Sequence, residues 1–115
     1  MAYNEKLADR IREALQDLPK IEEKKMFSGL TFMVNDKMCI GVRVDGIMCR
    51  VDPALHGELV EKDGCSELEM KGRTYTGFVL VNEAILKTKK QLDYWIDLAL
   101  DFNRRAKASP KKKKS

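Results

Sequence analysis

The chain has 115 residues, of which 43% are hydrophobic and 35% charged, a composition typical of one globular domain in water. It contains no apolar run near the roughly 20 residues of a membrane-spanning helix and does not begin with a signal-peptide pattern, so we expect neither a membrane protein nor a secreted one. The three cysteines, Cys39, Cys49 and Cys65, match no zinc or redox spacing, which indicates reduced thiols and a cytoplasmic location.

The net charge of +4 is unevenly distributed along the chain. Residues 104–115 carry seven basic residues and no acidic one, whereas residues 1–103 carry fifteen basic and eighteen acidic residues, a net charge of −3. A short, lysine-rich segment cannot bury enough apolar surface to order itself. We therefore expect a mildly acidic folded domain over residues 1–105 and a disordered basic tail over residues 106–115.

The first predicted element is a helix over residues 4–18. Its apolar residues recur at helical spacing, Asn4 is suited to cap the amino terminus, and Pro19 is suited to end the helix. The polar segment KIEEKK that follows is interpreted as a connection.

Two tight hairpins are predicted next, with strands over residues 30–34, 37–44 and 47–51. The dipeptides Asn35-Asp36 and Asp45-Gly46 suit two-residue turns with positive φ, which fix the register of strand pairing. That register predicts an apolar face, directed to the core, made of Met33, Met38, Ile40, Val42, Val44, Ile47, Cys49 and Val51. It leaves a mixed second face made of Leu30, Phe32, Val34, Cys39, Gly41, Arg43, Met48 and Arg50.

The rest of the chain predicts a short helix (53–62), a third hairpin (66–70 and 74–81) and a last helix (88–105). Asp52-Pro53 is a helix start, Lys71-Gly72 suits the hairpin turn, and Thr88 opens a capping box. The order α-β-β-β-α-β-β-α predicts an α+β fold, in which amphipathic helices cover an antiparallel sheet as a two-layer sandwich.

Motifs for catalysis or cofactor binding are absent from the sequence. Its seven glycines form neither a dinucleotide-binding nor a P-loop pattern, and no nucleophile-elbow, HExxH or paired-carboxylate arrangement occurs. His56, the single histidine, has no motif for a general base beside it and is interpreted as a surface residue. Met33 and Met38 are interpreted as core packing rather than soft-metal ligands. We therefore expect no catalytic residue, no cofactor and no metal site in a protein that is not an enzyme.

Arginines supply the sharpest candidates for partner binding. The candidate residues are Arg43, Met48 and Arg50 on the mixed face, and Arg73 in the third hairpin. Arginines on an open sheet face can bind a carboxylate or another anion. The competing interpretation, which we favour, is that their stems pack on the sheet while their charged ends stay in water or pair with nearby acidic residues.

The basic tail is the candidate for contact with nucleic acid. Its cations are Arg104, Arg105, Lys107, Lys111, Lys112, Lys113 and Lys114. They could neutralise phosphates in a salt-dependent way that carries little sequence information. The alternative is a solubilising or poorly ordered end. No aromatic residue is interleaved with the lysines, so base stacking is not expected there.

Four sequence blocks together resemble one known family. They are KKMFSGLTFMVNDKMCIGV at 24–42, RVDP at 50–53, GRTYTGFVLV at 72–81, and a last helix that contains tryptophan. This combination resembles the TfoX N-terminal domain of the TfoX/Sxy family and covers nearly the whole chain. Ser28 and Asp36 stand where the family often has glycine, and both residues are compatible with turns.

The resemblance implies a two-layer fold like that of type III secretion chaperones, a fold that often forms homodimers. It also implies a function. Full-length members are positive regulators of natural competence, act with the cyclic-AMP receptor protein and carry a second, helical domain, whereas this chain stops after the first. We therefore expect a standalone regulatory module whose partner is a protein such as a transcription factor or RNA polymerase. The alternative is a small accessory protein that binds nucleic acid through its lysine tail.

Overall fold

The computed structural model describes residues 3–18, 20–26 and 29–105. The described helices are α1 (Glu5–Leu15), α2 (His56–Val60) and α3 (Lys89–Arg105), and the described strands are β1 (Ile21–Met26), β2 (Gly29–Val34), β3 (Lys37–Val42), β4 (Gly46–Arg50), β5 (Cys65–Met70) and β6 (Arg73–Asn82). Short 3-10 turns, Pro53–Leu55 and Glu83–Ile85, lie before α2 and before α3. The predicted α+β class is confirmed, and the element order follows the prediction apart from β1.

The strands form one antiparallel sheet in the order β1-β2-β3-β4-β6-β5. All three helices pack on the same face of it, because Ile11 of α1, Leu59 of α2 and Trp95 of α3 belong to one buried cluster. That cluster also contains Phe32 and Ile40 from the middle of the sheet. The main core therefore lies between a helical layer and a sheet layer, as the two-layer prediction requires.

Residues 20–25, interpreted from sequence as a connection, contain most of the edge strand β1, which spans Ile21–Met26. It pairs with β2 from Ile21 opposite Val34 to Met26 opposite Gly29. On the helical side, the Glu23 carboxylate accepts hydrogen bonds of 2.6 and 2.8 Å from the Arg12 guanidinium, which lowers the pKa of Glu23. Charged residues at a sheet edge obscure the hydrophobic alternation by which a strand is predicted.

A β-bulge between β2 and β3 overturns part of the predicted facing. Met33 pairs with Met38, as predicted. Phe32 then pairs with Ile40, which leaves Cys39 as the extra residue in β3. The alternation is inverted across the bulge, so Met33 and Met38 lie on the face away from the helices. Residues predicted for the mixed face that lie in the main core instead are Leu30, Phe32, Val34 and Cys39.

The turn between β3 and β4 also differs from the prediction. Val42 pairs with Ile47, and the Arg43 amide donates to the Gly46 carbonyl at 2.8 Å, so the turn residues are Val44 and Asp45. Val44 was expected in the core but is 62% exposed. The register differs from the predicted one by two residues, an even number that leaves the facing of β4 unchanged.

Local signals at two other turns and at two helix starts are confirmed, whereas Pro19, predicted to end the first helix, lies outside the described residues and α1 ends at Leu15. Asn35 and Asp36 take positive φ of 54° and 66°, and Lys71-Gly72 takes 53° and 76°. The Asn4 side chain caps α1 by accepting from the Leu7 amide at 3.1 Å. The Thr88 capping box forms in both directions and begins the helix that ends at Arg105.

Candidate partner-binding face

The sheet face away from the helices carries a second apolar cluster, which we call the methionine face. Its buried members are Met38, Met48 and Leu68, and its partly buried members are Met33, Tyr75, Phe78 and Leu80. Pairing in the third hairpin shifts register, because Glu67 pairs with Val79 but Glu69 pairs with Thr74. Leu68 lies at this shift, two residues after Ser66, which pairs with Leu80 of the same cluster, so regular alternation places Leu68 on the methionine face.

Met48 is the base of the methionine face rather than part of its surface. It is 1% exposed. Its terminal methyl lies over Gly41, where an added Cβ would be 3.4 Å from the Met48 Cε atom. Gly41 pairs with Met48 across β3 and β4, so the missing side chain of the glycine leaves the room that the methionine fills. A partner that docks on this face therefore contacts the partly buried side chains of Met33, Tyr75 and Phe78 first.

Arg43 and Arg50 share this face but lie at its two ends. Each is two residues beyond the Gly41–Met48 pair, in opposite directions, which places them about 13 Å apart by the rise of the strands. The Arg50 guanidinium lies 6.0 Å from the ring centre of Phe78 and 5.7 Å from that of Phe102. The structure therefore does not bring the two arginines together into one anion site.

Arg43 lines an open cavity of about 280 Å³ at the turn between β3 and β4. Asp45, Ser66 and Asn82 also line this cavity. Within the described residues the Arg43 guanidinium makes no ion pair, so it is available to an anionic group from outside.

The other predicted cations lie elsewhere. Arg73 is exposed at the tip of the third hairpin. Arg105 donates to both Asp52 and Asp101 at 2.9 Å, and Arg104 lies 3.8 Å from Asp101. The pKa of Asp52 is lowered by a hydrogen bond from the Ala54 amide and by Arg105. The remaining tail candidates, Lys107 and Lys111 to Lys114, lie outside the described residues.

His56 was expected at the surface but is buried, with 6% of its surface exposed. Its Nδ1 atom accepts from the Gly77 amide at 3.0 Å, so in the neutral ring the proton is on Nε2, which lies 3.3 Å from a Glu67 carboxylate oxygen. Gly77 takes a φ of +95° at the bulge of β6. The sequence signal for this role is weak, because nothing local connects His56 to a glycine 21 residues later. The imidazole anchors the bulge and has both nitrogens occupied.

Cys49 lies within electrostatic range of both Cys39 and Cys65, a proximity that the spacing of the cysteines did not predict. Burial raises the pKa of Cys39 to about 12 and raises that of Cys49 well above its usual value, with smaller contributions to Cys49 from Cys39 and Cys65. These thiols therefore stay protonated at neutral pH, which disfavours nucleophilic chemistry. Among residues 3–18, 20–26 and 29–105, no group of three or more His, Cys, Asp or Glu side chains could hold a metal ion.

The chain forms a small α+β domain in which the three described helices pack on one side of the sheet and the methionine face lies on the other. A protein-family model, the TfoX N-terminal domain, matches residues 13–103, and the chain belongs to that family. The family resemblance seen in the sequence is confirmed. Searches of curated proteins and of solved structures returned no significant match. No helix in the described part of the chain is long and apolar enough to cross a membrane.

Proposed function

We propose that this chain is a non-enzymatic regulatory module of the cytoplasm that binds a protein partner through the methionine face. The observation that carries the proposal is an apolar cluster on the side of the sheet away from the three described helices, with an arginine at each end. Membership of the TfoX N-terminal domain family supports a regulatory role like that of the competence regulators. A transcription factor or RNA polymerase is the kind of partner that such a role requires.

The chemistry of the face suits an acidic amphipathic segment of that partner. Methionine side chains are flexible and polarizable, so they adapt to apolar side chains of different shapes. Arg43 at one end and Arg50 at the other would attract carboxylates that flank those apolar residues. Aromatic rings such as Phe78 add rigid contact area beside the methionines.

The test uses two synthetic peptides that share alternating leucines but carry either aspartate or lysine between them. We expect the acidic peptide to shift the methyl NMR signals of Met33 and Met38 in protein labelled at methionine methyls. Arg43→Glu should weaken that binding about fivefold, because it reverses a charge at the rim. Lys90→Glu, an exposed residue at the start of α3, is the charge-matched control and should leave the affinity unchanged. Equal affinity for the lysine peptide, or full affinity in Arg43→Glu, would contradict the proposal.

A second function, weak and nonspecific nucleic-acid binding, is favoured by the charge asymmetry of the chain. Residues 106–115 contain five lysines and no acidic residue, whereas Arg104 and Arg105 lie near acidic side chains of the domain. We expect the full chain to bind duplex DNA with an affinity that falls steeply as salt rises, and a chain that ends at Arg105 not to bind. Fluorescence anisotropy over a salt series measures both. Binding that survives the truncation would move the contact to the domain.

A further inference from the structure

The edge strand β1 presents an ordered row of backbone groups away from the sheet. The Asn35 amide donates to the Lys20 carbonyl at 3.0 Å, which makes Lys20 and Asn35 a hydrogen-bonded pair at the end of the β1–β2 ladder. Hydrogen-bonded and non-hydrogen-bonded pairs alternate along an antiparallel ladder. The amides and carbonyls that point outwards are therefore those of Ile21, Glu23 and Lys25.

The side chains of the same strand carry a self-complementary charge pattern. Glu22 pairs with Met33 and Lys24 pairs with Thr31, so both charged side chains lie on the side of the methionine face. Both are exposed, and neither forms an ion pair within the described residues. An acid and a base two residues apart on one face complement a second copy that runs in the opposite direction.

We propose that two copies of this chain associate through β1, antiparallel, about a two-fold axis that passes beside Glu23. A two-fold axis that joins two sheet edges runs perpendicular to the sheet, so each residue must oppose one that faces the same side. Centred on Glu23, the pairing sets Ile21 opposite Lys25 of the second copy and Glu22 opposite Lys24 of the second copy. The former is a hydrogen-bonded pair, as is the central Glu23 pair, with two hydrogen bonds at each.

The ion pairs lie where cross-strand side chains are closest. Glu22 and Lys24 of the second copy form a non-hydrogen-bonded pair, in which opposite residues approach to about 4.5 Å between Cα atoms. The two-fold axis generates this pair twice. The central glutamates do not oppose the association strongly, because Arg12 neutralises each Glu23 through two short hydrogen bonds.

Neighbouring registers use fewer of the outward backbone groups and set like charges opposite each other at their centres. A centre at Lys24 places that lysine opposite itself and pushes Ile21 beyond β1 of the second copy. A centre at Glu22 places two unpaired glutamates opposite each other. The Glu23 centre alone among these three uses all of the outward backbone groups and also sets opposite charges against each other.

The decisive experiment reverses the edge charges one at a time. We expect sedimentation equilibrium of the full chain at low salt to show a monomer–dimer equilibrium. Glu22→Lys and Lys24→Glu should each raise the dimer dissociation constant about tenfold, since each turns both ion pairs into like-charge pairs. An equimolar mixture of the two variants should restore association, because one chain then presents two lysines and the other two glutamates. Lys90→Glu, which changes the net charge as Lys24→Glu does, should associate like the unaltered chain.

A covalent readout tests the register without depending on affinity. Equimolar Glu22→Cys and Lys24→Cys chains, oxidised together, should cross-link mainly to each other, since a non-hydrogen-bonded pair has a Cα separation suited to a disulfide. Either variant alone should cross-link poorly. A chain that is monomeric up to millimolar concentration would overturn the proposal, and so would dimers that ignore both charge reversals. These outcomes leave the partner-binding role of the methionine face untouched, because that face does not include β1.

Discussion

Gly46→Ala is expected to lower the free energy of unfolding by about 3 kcal/mol, because it forces two strands apart. A Cβ atom at Gly46 would overlap the Val81 carbonyl oxygen and lie 2.9 Å from the carbonyl carbon. Both of those atoms belong to the backbone of β6, which pairs with β4 through Gly46 opposite Asn82. Neither strand can yield by rotating a side chain, so the backbone itself must move.

Gly57→Ala is the matched control for this substitution. Gly57 lies in α2, where an added Cβ atom meets nothing within 4 Å. The same change should therefore leave stability unchanged or raise it by up to about 1 kcal/mol, because alanine favours the helix. Urea unfolding followed by the fluorescence of the buried Trp95 measures both variants. Equal stability of Gly46→Ala and the unaltered chain would contradict the close approach of β4 and β6.

The need for a residue without a side chain at position 46 shows what the sequence can and cannot predict about a turn. Asn35-Asp36 and Lys71-Gly72 take positive φ, as their residue types indicate. Gly46 belongs to an equally good turn dipeptide but is required for the approach of another strand, β6, that is distant in sequence. Local signals predict local conformation, whereas the neighbour of a strand is set by the tertiary fold.

The facing of the central strands illustrates the same limit. Two-residue turns predict the pairing beside them, which is why Met33 opposite Met38 was predictable. The bulge at Cys39 was not, because a bulge adds one residue to β3 without a glycine or another sequence signal at that point. One extra residue exchanges the two faces on the far side of the bulge, so Met33, Met38 and Phe32 were each assigned to the wrong face.

The sequence predicted the facing of the candidate residues but not their surroundings. Arg43, Met48 and Arg50 do lie on one face of the sheet, although other residues predicted for that face lie in the main core. Their spacing and burial depend on how far the β3–β4 ladder extends and on the third hairpin, which adds Leu68 and Tyr75 to the same cluster. His56 was missed for a similar reason, since its partner Gly77 is on a strand that only the folded chain brings near.

Met48→Ala is expected to destabilise the domain by about 2–5 kcal/mol, although Met48 lies on the candidate binding face. Its side chain is 1% exposed and packs with Met38 and Leu68, so its removal leaves a cavity. A loss of that size is a large fraction of the stability of a domain of this length. Met33→Ala, at a partly buried position of the same cluster, is the matched control and should cost about 1 kcal/mol.

A compensating substitution separates this cavity from a general loss of structure. Gly41→Ala places a Cβ atom toward Met48, and the 3.4 Å separation from Met48 Cε is an ordinary contact. In the Met48→Ala background that Cβ atom should fill part of the cavity and recover about 1 kcal/mol, a coupling that a double-mutant cycle in urea measures. Strict additivity of the two substitutions would contradict the packing of Met48 over Gly41. Because Met48 is buried, weaker peptide binding by Met48→Ala would reflect loss of folded protein rather than loss of a contact with the peptide. Met33→Ala is the variant that tests the surface of the methionine face.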